Sequence, residues 1–271
     1  MRRFFLLGRF LIARSSGVHA LRRGLPLYFA IGIAATIIFA RQGLDARTVV
    51  RGAATSLPVR VTLLVAWLVA AYPVARTVVT TPENTFLRAL PIPRWQILIW
   101  LALLLFIAEL PWAILWTRGG GPLVGAAATM SAMALHVFLL QPNRKDIDGA
   151  ALLDRAWMMA VVMGWTRLGT DYVPLGSPFA MLALTGLASA GTVSSLRRAW
   201  QFAPERGAPR SRGPIAGAPA RALASAYLRV LERRHAAALI RALLVVVAAM
   251  GWIGIALHND ATLAAQGTRT V

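Results

Sequence analysis

The apolar residues of this chain are gathered into runs as long as a bilayer is thick, and nothing else in it restricts the fold so strongly. The clearest run is Trp95–Trp116, WQILIWLALLLFIAELPWAILW, whose single charge is Glu109. A helix of that length crosses the roughly 30 Å of a hydrocarbon core, where each segment must satisfy its own backbone N–H and C=O groups. Comparable runs lie near Leu25–Ala40, Val61–Ala75, Pro122–Leu140, Leu152–Trp165, Val173–Leu196 and Ala237–Leu257. Those starting at Leu25, Val61 and Leu152 are short, so they need flanking turns or kinks to cross. No water-soluble interior hides so many helices that are apolar all round. The expected fold class is therefore all-α: a polytopic transmembrane helix bundle with six spans, plus a seventh after a basic linker.

Composition points the same way. Hydrophobic residues make up 58% and charged ones 14%, against about 45–50% and 25% in soluble domains, and the mean hydropathy is +0.62. A formal charge of +19 in a soluble protein would suggest nucleic acid. Here the charge sits in the gaps between apolar runs, without interleaved aromatics to stack bases. Nucleic acid is therefore not an expected partner, and the lipid bilayer with its anionic headgroups is. Lys145 is the only lysine among 29 basic residues, and there is no cysteine, which excludes a disulfide framework and thiolate metal sites.

Charge placement divides the chain. Residues 1–24 read as an amphipathic interfacial helix, with Phe4, Phe5, Leu7, Phe10 and Leu11 dipped inward and arginines reaching for headgroups. Arg9 and Arg14 interrupt the apolar core that a cleaved signal peptide would need. Residues 25–200 form the six-span domain. Residues 201–220 are a Pro/Gly/Arg-rich cytoplasmic linker, with Phe202–Ala220 reading FAPERGAPRSRGPIAGAPA. Residues 221–271 hold a second amphipathic helix and the seventh span, patterned like the start of the chain and readable as the beginning of a repeat. Ten arginines between Arg197 and Arg241 and six before Leu25 put both segments on one side. By the positive-inside rule that side is cytoplasmic. The segment Arg41–Arg60, placed outside, fits poorly because it too carries four arginines.

The gap between the second and third spans is the most distinctive segment: TTPENTFLRALPIPRWQILIW. Thr80 or Thr81 can cap a short helix starting near Pro82-Glu83, which Pro91-Ile92-Pro93 stops. Arg94-Trp95 then anchors the next span at headgroup level. Glu83, Phe86, Leu87, Arg88, Leu90, Pro91, Ile92, Pro93 and Arg94, followed by a long apolar helix, resemble the coupling segment of membrane subunits of type-2 ATP-binding-cassette exporters. In that family a Leu-Pro-[Val/Ile]-[Ser/Pro]-Arg stretch lies in the first cytoplasmic loop, against an ATPase. The resemblance implies a permease, or the N-terminal part of one, working by alternating access in a bacterial cytoplasmic membrane. Its implied partners are a separate ATP-binding subunit and either a second copy or a second permease half. The Gly176–Pro178 stretch is the only trace here of the structured element that this family places before its sixth span. No G-x-x-x-x-G-K-[ST] occurs, so the chain has no P-loop of its own, and no cofactor is expected in it.

Two intramembrane polar residues stand out. Glu109 lies in the third run, two residues before Pro111. An acid there costs roughly 2.5–3.5 kcal/mol on insertion scales and is a functional candidate by default. A structural role, bonding a carbonyl freed by Pro111, or a place near the interface are the alternatives. His136 in the fourth run reads as a hydrogen-bonded packing residue. Asp154 and Arg155 mark the edge of the fifth span, and Gly119–Gly121 reads as a turn. The enzyme alternative is a Mg-dependent lipid-modifying protein using Asp146 and Asp148. It lacks the acidic spacings of membrane prenyltransferases and CDP-alcohol phosphotransferases. H-E-x-x-H, G-x-S-x-G and dinucleotide motifs are also missing, so no catalytic or metal-ligating residue is assigned.

Overall fold

The computed structural model describes residues 2–41, 45–80, 87, 92–141, 149–169, 173–201 and 243–256. These residues are almost wholly helical, and the one β-type contact among them is an isolated bridge between Leu168 and Val173. In chain order the helices are α1 (Arg2–Arg14), α2 (Ser16–Arg41), α3 (Ala46–Thr55), α4 (Leu57–Thr80), α5 (Arg94–Ala108), α6 (Leu110–Gly120), α7 (Pro122–Leu139), α8 (Gly149–Thr166), α9 (Pro178–Gln201) and α10 (Leu243–Ala256). Three of them, α4, α7 and α9, are long and apolar enough to cross a membrane. The pair α5 and α6 makes a fourth if the two count as one span. The linker 202–220 and the second amphipathic segment lie outside the described residues.

The bundle is built around α7. Gly125, Ala126, Ala127, Ala128, Ser131, Ala132 and Ala134 give this helix a slim waist, which lets neighbouring helices approach closely, as small residues do in membranes. It packs most extensively against α9 and α6. Ser131 and Thr129 return their hydroxyls to the carbonyls of Ala127 and Gly125, so they add no unsatisfied polar group to the interior.

The run Trp95–Trp116 is two helices meeting at a 62° bend. Pro111 has no N–H to give the carbonyl of Ile107, and its ring crowds the turn before it. Helix α5 therefore ends at Ala108, and Glu109 lies at the corner between the two helices. The expected turn at Gly119–Gly121 shrinks to one residue. Gly119 and Gly120 finish α6, Gly121 turns the chain at φ 92°, and Pro122 opens α7. Near residue 173 the helix starts later than the apolar run does. Ser177 accepts from the N–H of Ala180 and Pro178 takes the first helical position, an N-cap followed by proline.

Two further differences concern amphipathic segments. Helix α1 stops at Arg14, short of the expected residue 24, and residues from Ser16 onward already belong to α2. The inward face of α1 meets protein: Leu7 and Leu11 are buried, and Trp100 of α5 donates its indole N–H to the carbonyl of Phe4 at 3.1 Å. Between Arg41 and Arg60 lies the unforeseen helix α3. Asp45 caps it, accepting from the Thr48 N–H at 2.7 Å and the Thr48 hydroxyl at 2.8 Å. Val49, Val50, Ala53 and Ala54 are buried, while Arg47 and Arg51 are exposed. The helix lies close over two glycines. A Cβ on Gly119 would sit 2.5 Å from the Ala46 carbonyl oxygen. One on Gly169, whose φ is 79°, would sit equally close to that of Ala54.

Candidate functional site

The corner at Glu109 fixes the site. Because α5 and α6 diverge there, the carboxylate projects into the bundle and is fully buried. It meets two helices. The Trp67 indole N–H of α4 donates to Oε2 at 2.5 Å, and Nδ1 of His136 on α7 lies 2.5 Å from Oε1. Tyr28 of α2 covers the end of α5, donating its hydroxyl to the carbonyl of Ala108 at 2.8 Å. That carbonyl belongs to the last turn of α5, which a helix end leaves without helical donors.

Proton bookkeeping follows from the second imidazole nitrogen. His136 Nε2 sits 3.0 Å from the carbonyl oxygen of Leu68, and a carbonyl only accepts, so Nε2 carries hydrogen. One proton then lies between Nδ1 and Oε1. With that proton on either atom the pair is net neutral, as imidazolium with carboxylate or as imidazole with carboxylic acid. The apolar interior makes an isolated charge expensive, and this pairing avoids one. Chemically, the pair can hold a proton and hand it from one helix to another without changing the net charge of the core.

An aromatic column runs from this pair. Tyr28 stacks on Trp67 at 5.9 Å between ring centroids, and Trp67 stacks on Trp112 at 5.7 Å. Trp112 meets Trp116 at 5.5 Å and Trp165 at 5.9 Å, and Trp116 meets Trp165 edge-on at 5.0 Å. The Trp112 indole N–H donates to the Ala128 carbonyl at 3.1 Å. The indole nitrogens of Trp116 and Trp165 are buried without a hydrogen-bond partner. Beside the column a cavity of about 260 Å³ opens between α2, α4, α6 and α10, with Tyr28, Trp67 and Trp112 in its wall.

The other sequence candidates fall elsewhere. Glu83, Phe86, Arg88 and Pro91 lie outside the described residues, as do Asp146 and Asp148. Leu87 is 3% exposed and belongs to a buried cluster with Val74 and Val78 of α4, Ile97 and Leu101 of α5, and Leu196 and Trp200 of α9. Pro93 precedes α5, and Arg94 is its exposed first residue. Asp154 on α8 is buried. It accepts from the Gln141 amide at 3.2 Å and from the Ser194 hydroxyl, with Arg198 at 3.8 Å. Among the described residues no group of three or more His, Cys, Asp or Glu comes together.

Sequence reasoning passed over two residues of the site and one buried charge away from it. Tyr28 and Trp67 read only as apolar content. Arg60 read as a loop charge, yet it is 2% exposed, with Nε and Nη1 buried and lacking a hydrogen-bond partner. Its signal was its position one residue before the apolar run Val61–Ala75. No family model, curated protein or solved structure matches this chain.

Proposed function

We propose that the chain is the membrane-spanning permease component of an ATP-driven exporter, working by alternating access and powered by a separate ATP-binding subunit. In this reading α2, α4, the α5–α6 pair, α7, α8 and α9 are the six spans and α10 is the seventh. Residues 201–220 form the cytoplasmic linker, and the N-terminus lies on the cytoplasmic side of a bacterial inner membrane. A second copy or a second permease half completes the pathway.

The observation that carries the proposal is the burial of Leu87. The segment Glu83–Arg94 resembles an exporter coupling segment, and its one residue described between positions 81 and 91 is sunk in a cluster that includes the ends of α4 and α9 and the start of α5. A push on that segment therefore acts on three helices at once, because close-packed side chains transmit displacement instead of absorbing it. The broken α5–α6 pair, with a proton-sharing acid at its corner, supports the same reading. Discontinuous helices with polar groups at the break line the pathways of many transporters.

The test is purification of the tagged chain from its native membrane in mild detergent. A P-loop ATPase should co-purify, and the double change Phe86→Ala and Arg88→Ala should release it without lowering the thermal stability of the chain. Recovery of the wild-type chain alone from cross-linked native membranes would remove the exporter reading.

A further inference from the structure

The cavity between α2, α4, α6 and α10 has walls of unusual make-up. Three amphipathic aromatics face it, and each has its polar atom turned into the protein: Tyr28 to the Ala108 carbonyl, Trp67 to Glu109, Trp112 to the Ala128 carbonyl. What remains toward the cavity is ring carbon, completed by Ile31, Val246 and Met250. Water held inside a protein needs two to four polar partners, and these walls are almost wholly apolar. The volume of about 260 Å³ is just below the roughly 300–1,000 Å³ of drug-sized sites. It suits a flexible chain better than a fused-ring body.

The cavity adjoins a hollow on the outside of the bundle. This second hollow, on the outer surface of α2, shares Tyr28 and Gly32 with it and continues past Phe29, Ile33 and Ile37. Those three side chains are 71%, 46% and 55% exposed, the face α2 turns to its surroundings. Thr36, also in that hollow, spends its hydroxyl on the Gly32 carbonyl at 2.8 Å. Gly32 stands at the junction, and a Cβ placed on it would meet no atom within 4 Å. The missing side chain leaves open space where the two hollows meet.

We infer that the cavity is a binding site for one acyl chain of a bilayer phospholipid, admitted sideways across Gly32. The bilayer supplies this chemistry at the mouth in great excess. The interior has no polar group for a headgroup, so the headgroup stays outside while the hydrocarbon lies against Tyr28, Trp67 and Trp112. The site rests on the chain lying in a bilayer and is independent of any ATPase partner. Failure of the exporter reading leaves it standing.

The experiment uses the full chain in phosphatidylcholine nanodiscs doped with phosphatidylcholine carrying a diazirine midway along one acyl chain. After photolysis, labelled residues are mapped in the wild type, Gly32→Leu and Gly186→Leu. Gly186 lies on the exposed side of α9 and is equally open to a Cβ, so it controls for added bulk. Wild type and Gly186→Leu should carry label on Ile31, Trp112 and Met250, and Gly32→Leu should lose it while keeping label on Phe29 and Ile33. Met250→Trp, which fills the cavity from α10, should lose the inner label too and serves if Gly32→Leu does not fold. Label confined to Phe29 and Ile33 in the wild type, or inner label unchanged by both blocking substitutions, would overturn the assignment.

Discussion

Two buried carboxylates in this bundle are held in opposite ways. Asp154 sits near the start of α8 and joins the end of α7 to α9 through Gln141 and Ser194. Arg198, which never loses its charge, is 3.8 Å away. Glu109 sits at a helix corner among aromatic rings, and its only basic neighbour among the described residues is His136, whose charge depends on a proton. The first is a fixed tie between helices beside a permanent cation. The second is a tie whose charge can be relocated or removed. Burial alone therefore does not tell a structural acid from a switchable one; the nature of the partner does.

The sharpest way to break this comparison is to remove Glu109. Glu109→Ala strips the Trp67 indole N–H and His136 of their acceptor in a dry interior, so the chain should lose about 3–5 kcal/mol, measured by denaturant unfolding in detergent. Glu109→Gln can accept from Trp67 and donate to Nδ1, and should fall within about 1 kcal/mol of wild type. Equal losses in the two variants would show that the proton-sharing geometry is wrong. At Asp154 the expected loss is smaller and the pattern differs. Asp154→Ala should lose about 1.5–3 kcal/mol, and Asp154→Asn should recover little of it, because Arg198 needs a charge and not merely an acceptor.

Arg60 extends the comparison to a buried charge with no such partner among the described residues. Arg60→Met should keep the packing and raise stability by ~1 kcal/mol; a fall would mean that its guanidinium is engaged in the membrane. The smallest effect belongs to Asp45, whose carboxyl the Thr48 N–H and hydroxyl hold below the usual carboxylate range. Because its folded value is depressed, its contribution is present above the ordinary range and disappears as pH falls through the lowered one. Amide exchange in the first turn of α3 should rise in acid. Asp45→Asn, which still caps a helix, should flatten that dependence.

Much of the helical architecture could be read from the runs alone, since a stretch such as WQILIWLALLLFIA has no other stable home. Glu109 and His136 were each visible as polar residues in apolar surroundings. Their contact was not, because they lie 27 residues apart on helices whose mutual rotation is set by packing. The small-residue face of α7 and the corner at Pro111 decide it, and neither appears as a periodicity. Pro111 was legible as a perturbation, but its size depends on how neighbours meet the open end of α5, as Tyr28 does at the Ala108 carbonyl. Helix α3 escaped notice because its arginines dominate a ten-residue stretch. Its cap, Asp45 followed by Thr48, and its apolar pairs at Val49-Val50 and Ala53-Ala54 were the local signals for it.

The aromatic column has a consequence of another kind. Trp67, Trp112, Trp116 and Trp165 stand at successive centroid separations of 5.0–5.9 Å and at fixed mutual tilts. Indole rings held so close in a chiral array share their electronic excitations, so the bundle should show a near-ultraviolet circular dichroism signal larger than its separate chromophores would give. The column joins α4, α6 and α8, and any sliding or tilting between those helices would alter the coupling before it altered helix content. The protein thus carries its own optical goniometer, sensitive to the relative angles of three helices without the attachment of a label.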